Sequence, residues 1–269
     1  MASPRREERN LLTGAFMKVR SVWALLWLPL ACACSPAGDN GQRGDDVEQG
    51  PVDSVVGLKP LPPSLTFHLN YKPEKDWSKC AERDVVVFDM FDSSEADFAK
   101  CSELGALTLC YFSSQYEDWR SDSADFGDLG PALDGWEGER WVDADDPKNL
   151  EVMRQRLDLA VERGCDGIDL DNVDRDGHEH YVMEIFAEAK ARGLYVSQKN
   201  AVEKIEKFYD YVDLYQNEQC QEFDECEAYE TVGRPVYNIE YSACRSLPYL
   251  YSNRKDVEAM DAWEGDCDE

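Results

Sequence analysis

The sequence has little positive charge. It contains 28 lysines and arginines against 56 aspartates and glutamates, which gives a net charge of −28 over 269 residues. The whole excess follows residue 64, because the first 64 residues hold seven groups of each sign. Such a surface repels phosphate backbones and anionic lipid headgroups, so we expect no nucleic-acid partner. A cationic partner fits this charge better.

The sequence also lacks several signatures of well-known chemistry. It has no GxSxG segment for acyl transfer, no CxxC pair for a zinc ribbon or redox centre, and no glycine-rich phosphate turn after the first predicted strand. His178 and His180 form an H-x-H pair without a third ligand at a familiar spacing. A calcium-loop-like run begins at Asn172, but Met183 occupies the position of its closing glutamate. We therefore predict neither a metal site nor a cofactor.

A hydrophobic run long enough to span a membrane is missing as well. The apolar run 22–33 is shorter than the ~20 residues that a transmembrane helix needs, and it ends in small residues. We predict that residues 1–34 are a secretory signal, with Cys34 as a lipid-attachment site of the bacterial lipoprotein type; simple cleavage and secretion is the alternative. Residues 35–64 are rich in Gly, Asp, Pro and Gln and predict a flexible tether. The folded part is then expected outside the cytoplasm, either secreted or attached to a bacterial membrane, as a monomer.

Eight cysteines follow the predicted signal, and an even number in an exported chain indicates disulfides. They are Cys80, Cys101, Cys110, Cys165, Cys220, Cys226, Cys244 and Cys267. Our preferred bridges are Cys220–Cys226 and Cys244–Cys267. For Cys110 and Cys165, a bridge and two buried free thiols are equally acceptable, because both lie in apolar strand-like runs.

What the sequence does contain is a regular alternation of strand-like and helical segments after the tether. Helical spacing of apolar residues marks 149–163 and 181–191, and Gly164 and Gly193 stand where such helices end. Eight strand-like runs occupy 66–71, 84–91, 106–113, 166–172, 194–200, 211–218, 235–241 and 247–253. This alternation predicts an α/β fold, a single (β/α)₈ TIM barrel over residues 65–269.

Several of these strands begin apolar and end polar. Because the carboxyl ends of barrel strands meet at one mouth, their polar groups are expected to share a cleft. Carboxylates gathered in a recess are costly unless they are used. A pair of carboxyl groups near aromatic rings that can stack on sugars is typical of a glycoside hydrolase active site. The candidate residues are Asp89, Asp92, Tyr111, Tyr116, Trp119, Asp169, Asp171, Asn172, Lys199, Asn200, Asn217, Glu218, Glu240 and Tyr241.

Five segments carry a resemblance to a known family. They are CYFSSQYEDWR (110–120), LDGWEGERWVD (133–143), GCDGIDLDNVD (164–174), NEQC (217–220) and NIEY (238–241). In this order they resemble glycoside hydrolase family 114, whose members are endo-α-1,4-polygalactosaminidases with a (β/α)₈ barrel. The resemblance implies that Asp171 and Glu218 are the catalytic carboxylates, as nucleophile and acid/base, or as base and acid if the reaction inverts.

The same resemblance implies an endo-acting hydrolase of an α-1,4-linked galactosamine polymer, a polycation that suits the acidic chain. Two other functions stay open: a non-catalytic carbohydrate-binding barrel, favoured by a segment after Asp174 that is shorter than in the family, and a hydrolase of a different α-linked glycan. Structural roles also stay open for Asp171 as a helix cap and for Glu218 as a partner of Lys199. Asp169 is expected one layer deeper than Asp171, where it orients a neighbour or raises the pKa of a catalytic acid. Glu240 is the reserve candidate for the second acid.

Overall fold

A computed structural model describes residues 58–255 and 265–267. The predicted signal, Cys34 and the tether up to residue 57 lie outside this range. The strands in chain order are β1 (Phe67–Asn70), β2 (Val85–Asp89), β3 (Leu107–Ser113), β4 (Tyr116–Glu117), β5 (Leu129–Ala132), β6 (Glu139–Val142), β7 (Gly167–Asp171), β8 (Tyr195–Lys199), β9 (Leu214–Glu218), β10 (Val236–Glu240), β11 (Tyr251–Arg254) and β12 (Gly265–Asp266).

Eight parallel strands form a nearly closed barrel. The hydrogen-bonded order is β1-β2-β3-β7-β8-β9-β10-β11, and β12 adds antiparallel to β11. At the seam, the Phe67 ring of β1 lies 6.4 Å from that of Tyr251 on β11 and stacks at 5.2 Å on Tyr237 of β10. All eight predicted strands are present, and the prediction of a (β/α)₈ barrel is confirmed.

Helices connect most of the barrel strands and have recognisable start and stop signals. They are α1 (Trp77–Glu82), α2 (Glu95–Glu103), α3 (Pro147–Glu162), α4 (Glu179–Ala191), α5 (Ile205–Phe208) and α6 (Cys220–Phe223), with 3₁₀ turns at Ser123–Asp125, Val202–Lys204 and Cys226–Tyr229. Ser94 and Asp97 form a capping box at the start of α2. Helix α3 begins with Asp146 as its N-cap and a proline at its first position. Gly164 and Gly193, at φ of 75° and 76°, follow the ends of α3 and α4.

Strand alternation divides the core into two layers. Side chains of one parity fill the barrel interior: Phe67, Leu69, Val85, Val87, Leu109, Leu214, Tyr237 and Ile239. Those of the other parity, such as Val86, Ile168 and Val196, pack under the helices. Whether a strand residue faces the barrel interior or the helices is therefore decided by its parity.

Glycine is required at one point of the barrel. A Cβ on Gly167 would lie 2.6 Å from the Tyr195 carbonyl oxygen, so only glycine lets β7 and β8 approach this closely.

A small antiparallel sheet, which we call the insertion, was not predicted. It has the order β4-β6-β5 and follows the carboxyl end of β3. Its strands span two to four residues, with an irregular register between β5 and β6, so they produce no measurable alternation in the sequence. The Gln115 side chain ties the insertion to the end of β7: its Oε1 accepts from the Val142 N–H at 3.0 Å and its Nε2 donates to the Asn172 carbonyl at 3.2 Å.

The other end of the barrel is covered by the segment that precedes β1. The Tyr195 hydroxyl donates to the Lys59 carbonyl at 2.9 Å, and Leu61 and Leu65 pack against the interior cluster. Residues 58–64, which the sequence placed in the tether, thus contact the barrel where the structure describes them. No helix among the described residues has both the length and the apolar character that a bilayer crossing requires.

Four disulfides join the eight cysteines. The structure pairs Cys220 with Cys226 and Cys244 with Cys267, as preferred from the sequence. It also pairs Cys80 with Cys101, and Cys110 with Cys165, so the free-thiol alternative for the last pair does not hold. Four bridges fit a protein that folds in an oxidising, extracytoplasmic environment.

Candidate active site

Two carboxylates meet one ammonium group at the carboxyl end of the barrel. Asp171 ends β7, Lys199 ends β8 and Glu218 ends β9, all with interior parity. The Lys199 Nζ lies 2.8 Å from Asp171 Oδ2 and 3.0 Å from Glu218 Oε2. The side chains of Asp171 and Glu218 are 14% and 16% exposed, so a solute can reach both acids.

Asp171 is held as an anion by donors on both oxygens. Lys199 and the Tyr111 hydroxyl, at 2.7 Å, donate to Oδ2, and the Asn172 backbone N–H donates to Oδ1 at 2.8 Å. Burial favours the neutral acid, but the Lys199 charge and these hydrogen bonds outweigh it and lower the pKa of Asp171. For Lys199, burial opposes the charge and the two carboxylates raise the pKa above its usual range. The pair is thus an ionised carboxylate beside a permanent cation.

Glu218 has a different set of partners. The Tyr241 hydroxyl donates to Oε1, and the Asn200 side-chain amide donates to Oε2 at 3.3 Å. The same Asn200 side chain accepts from the Glu218 backbone N–H at 2.8 Å, so it fixes both ends of the residue. Asn200 has a left-handed backbone, φ 53°, which asparagine adopts more readily than most side chains. Five sequence-predicted residues therefore contact the acid pair directly: Tyr111, Asn172, Lys199, Asn200 and Tyr241.

Asp169 forms the floor of the site, one layer below Asp171. It accepts from the Ser197 hydroxyl at 2.5 Å, and the Tyr71 hydroxyl approaches its other oxygen at 3.5 Å. Burial raises the pKa of Asp169 to about 7; the Ser197 hydrogen bond and the Lys199 charge oppose this, and the charges of Asp171 and Glu218 add to it. The Tyr71 hydroxyl in turn accepts from Gln216, and its ring stacks on Tyr111 with centroids 3.9 Å apart.

The end of β2 is neutralised and does not add a free acid to the site. The Arg120 guanidinium binds both oxygens of Asp89 at 3.0 and 2.8 Å and contacts Glu117 at 3.1 Å. Asp92, three residues further on, is exposed, and its backbone N–H donates to Asp89 at 3.0 Å. Among the described contacts, none joins the Asp92 side chain to Asp171 or Glu218.

Two sequence-predicted residues face away from the barrel mouth, and placing them in the substrate site was wrong. Asn217 precedes Glu218, so alternation turns it outward, where it donates to the buried Tyr229 hydroxyl at 3.1 Å. Glu240 likewise precedes Tyr241 and lies on the helix side with 0% exposure. Glu240 accepts from the Asn238 amide at 2.9 Å and from a backbone N–H of α6 at 2.8 Å, which makes it a structural acid and removes it as the reserve catalyst.

The predicted aromatic residues divide between exposed and packed positions. Trp119 follows β4 and is 36% exposed. Tyr116 is half-buried and its ring meets that of Phe126 edge-on, 5.5 Å away. Tyr111 is committed to Asp171 through its hydroxyl.

Several residues of the site were missed by the sequence reasoning. Ser197 and Gln216 carried a usable signal, because each stands two residues before a predicted site residue and so shares its face. Tyr71 directly follows β1 and shares the interior face of Phe67 and Leu69, so strand parity also places it in the site. Glu139 comes from the insertion, and its carboxylate approaches Asn172 at 3.4 Å. No local sequence pattern predicts the contact between Glu139 and Asn172.

This arrangement can act on a glycosidic bond. One ionised carboxylate and a second carboxyl group face each other across a single cation at an accessible mouth, and phenol and amide donors fix their positions. An attacking group and a proton donor at short separation are what displacement at a sugar carbon needs.

Comparisons with known proteins identify the fold and the family of this chain. The sequence model of Glycoside-hydrolase family GH114 matches residues 57–266. The crystal structure of Aspergillus fumigatus Ega3, solved in complex with galactosamine, shares 27% identity, with a TM-score of 0.67 over 75% of this chain and 94% of that one. The glycoside hydrolase domain of PelA from Pseudomonas aeruginosa has the same fold: 14% identity, a TM-score of 0.62 and coverage of 76% and 100%.

A variant of that PelA domain gives 15% identity and a TM-score of 0.64, over 76% of this chain and 100% of that one. No curated protein sequence matches the chain significantly. Because the family model covers well over half of the chain, the chain belongs to Glycoside-hydrolase family GH114 and is a glycoside hydrolase.

Proposed function

We propose that this glycoside hydrolase cleaves α-1,4-linked galactosamine-containing polysaccharide internally, with Asp171 and Glu218 as the two reacting carboxyl groups. The observation that carries the proposal is the contact of both acids with the single Lys199 ammonium at the barrel mouth. A structural role for either acid would not require partial exposure, donors on both oxygens and convergence with the other acid on one cation.

Asp171 is the nucleophile in this proposal, because its lowered pKa keeps the carboxylate ionised. Glu218 is the acid/base: it protonates the leaving oxygen and then deprotonates the attacking water. Tyr241 and Asn200 hold the Glu218 carboxyl while its charge changes. Lys199 keeps Asp171 anionic and places both acids, so it organises the site without itself transferring a proton.

The spacing of the acids favours retention of the anomeric configuration. Asp171 Oδ2 and Glu218 Oε2 lie 2.8 and 3.0 Å from one nitrogen, so these two nearest oxygens are at most about 5.8 Å apart. Such close approach supports a retaining arrangement, with roughly 5–5.5 Å between the carboxyl groups, over an inverting one, which keeps them roughly 6.5–9.5 Å apart to admit a water.

The charge of the chain supports a cationic substrate. A net charge of −28 attracts a polymer whose amino groups are protonated and accelerates encounter with it. The structural relative Ega3 was crystallised with galactosamine, a sugar with one such group. A deacetylated or partly deacetylated galactosamine polymer combines this charge with the linkage that the family resemblance implies.

The test is incubation of purified protein with fully deacetylated, partly acetylated and fully acetylated α-1,4-galactosamine polymers, and with neutral α-galactosides. We expect new reducing ends on the deacetylated polymers, with an early fall in mean chain length by size-exclusion chromatography, and none with Asp171→Asn. Proton NMR of the first products should show the α-anomer, since retention conserves the configuration of the substrate.

Each alternative function has its own outcome in this experiment. Binding of the polymer without new reducing ends would show a non-catalytic carbohydrate-binding barrel. Turnover of neutral α-galactosides in place of the amino-sugar polymers would show a hydrolase of another glycan. A first product in the β-configuration would overturn the proposed roles of the two acids but would not affect the proposed substrate.

A further inference from the structure

Glu139 is a buried carboxyl group that the proposed reaction does not use. It begins β6 in the insertion, 32 positions before Asp171 in the chain, and its residue surface is 9% exposed. Its Oε2 accepts a hydrogen bond from the Asn172 side-chain amide at 3.4 Å. A carboxyl group buried in this way calls for a role in the fold or in the site.

The partner of Glu139, Asn172, is the residue that sets the end of β7. Its backbone is left-handed, φ 59°, and its N–H donates to Asp171 Oδ1 at 2.8 Å. Its carbonyl accepts from the Ser114 hydroxyl at 2.9 Å and from Gln115 at 3.2 Å. Its amide nitrogen also donates to the Ser113 hydroxyl at 2.9 Å. These hydrogen bonds together hold the left-handed backbone of Asn172, as is usual for strained positions at functional sites.

Burial keeps Glu139 mostly neutral at pH 6 and below. Burial raises the pKa of Glu139 to about 7, and the charges of Glu117 on β4 and Asp171 on β7 add to this. Lys199 on β8 and Arg120, which follows β4, act in the opposite direction. A neutral carboxyl can accept from the Asn172 amide without placing another full negative charge beside the nucleophile.

We propose that Glu139 is a positioning residue: by accepting from the Asn172 amide, it holds the left-handed turn whose N–H fixes the Asp171 carboxylate. The insertion therefore orients the nucleophile, because Glu139 contacts the Asn172 side-chain amide and Gln115 contacts the Asn172 carbonyl. The kinetic arm of the test below rests on the proposed function, whereas the structural arm does not.

The kinetic arm compares Glu139→Ala and Glu139→Gln on a deacetylated galactosamine polymer at pH 6, where wild-type Glu139 is mostly neutral. Glutamine keeps an acceptor oxygen and should retain kcat within about threefold of wild type, whereas alanine should lower kcat by at least about tenfold with KM changed less than about threefold. Arg140→Ala is the matched control. It removes hydrogen bonds to the Gly130 carbonyl within the insertion, so it should lower the melting temperature and leave kcat unchanged.

The structural arm uses crystal structures of the same two variants. In Glu139→Gln, Asp171 should superpose on its wild-type position. In Glu139→Ala, the Asn172 amide should rotate away from Ser113, and the hydrogen bond from the Asn172 N–H to Asp171 should lengthen or break. If wild type shows no turnover, the proposed function fails and this arm alone decides the inference.

Either of two results overturns the positioning role. The first is Glu139→Ala with wild-type kcat or an undisturbed Asp171. The second is Glu139→Gln as inactive as Glu139→Ala, which would show that a charge or a proton is needed rather than an acceptor.

Discussion

Asp171 and Glu218 are 47 positions apart in the sequence and yet contact the same ammonium group, at 2.8 and 3.0 Å from Lys199 Nζ. Strand β8 lies between the strands that carry them, so the lysine at its end is placed between the two acids. Barrel closure and strand parity are sufficient to create this relationship, because the three residues end consecutive strands of the sheet on the same face.

Removal of the shared cation should move the acid limb of the pH–rate profile. Lys199 lowers the pKa of Asp171, so in Lys199→Met this pKa rises and a higher pH is needed to ionise the nucleophile. We expect the acid limb of kcat/KM, which reports free-enzyme ionisations, to shift upward in pH. Below pH 6, activity should fall by about 10- to 100-fold relative to wild type, because more of Asp171 is protonated.

Lys190→Met is the matched control for this experiment. Lys190 is ion-paired with Asp213 at 2.7 Å on the helix side of the barrel, so its loss should leave the pH profile unchanged. An unshifted acid limb in Lys199→Met would show that Lys199 does not set the ionisation of the nucleophile.

Asp169, at the floor of the site, should make the protein less stable as the pH rises from about 4 to about 7. Burial raises the pKa of Asp169 to about 7, whereas an unfolded aspartate ionises near its ordinary value. Between roughly pH 4 and 7 the folded state therefore binds the extra proton, and the free energy of unfolding falls by up to about 1.4 kcal/mol per pH unit for this group. Melting temperatures measured from pH 4.5 to 7.5 should decline, and the decline should be shallower in Asp169→Asn.

Glu139 shares this pH window, since its pKa is also raised to about 7, so Asp169→Asn should leave a residual slope. Asp158→Asn, at a side chain that is 63% exposed, should follow the wild-type curve. Identical slopes in wild type and Asp169→Asn would mean that Asp169 is already ionised in the folded protein.

The four disulfides should be recovered as four defined peptide pairs. A non-reducing digest analysed by mass spectrometry should give Cys80–Cys101, Cys110–Cys165, Cys220–Cys226 and Cys244–Cys267. The bridge between Cys110 and Cys165 closes a separation of 55 residues, so the double alanine variant should lose about 2–4 kcal/mol of unfolding free energy. Iodoacetamide labelling of Cys110 or Cys165 in the native, unreduced protein would disprove that bridge.

The sequence was sufficient for the barrel and for the placement of Asp171 and Glu218 at strand ends because both leave periodic traces, whereas the choice of these two acids as the pair rested on the family resemblance. Alternating runs and helical spacing marked all eight barrel strands and the helices α3 and α4. The polar residues after apolar strand cores marked Asp171, Lys199 and Glu218, which the structure places in contact. The prediction for Asn217 and Glu240 was wrong because it placed each on the same face as the next residue, Glu218 or Tyr241. Adjacent residues on a strand point to opposite faces, so strand parity alone could have excluded both.

The supporting contacts could not be predicted in this way. Glu139 reaches Asn172 across 33 positions, through a sheet whose strands are too short to show a period. Tyr71 meets Gln216 across 145 positions, because β1 and β9 face each other inside the barrel. Such pairs depend on the shear and tilt of the closed sheet, which tertiary packing sets and local sequence does not.

The most direct measurement of the central claim is the turnover of Asp171→Asn and Glu218→Gln on a deacetylated α-1,4-galactosamine polymer. The controls are Asp158→Asn and Glu184→Gln, which make the same chemical changes at exposed helix positions. The account predicts that the first two variants stay folded and lose activity on the order of 100- to 10,000-fold, while both controls match wild type. Wild-type turnover in either Asp171→Asn or Glu218→Gln would contradict it.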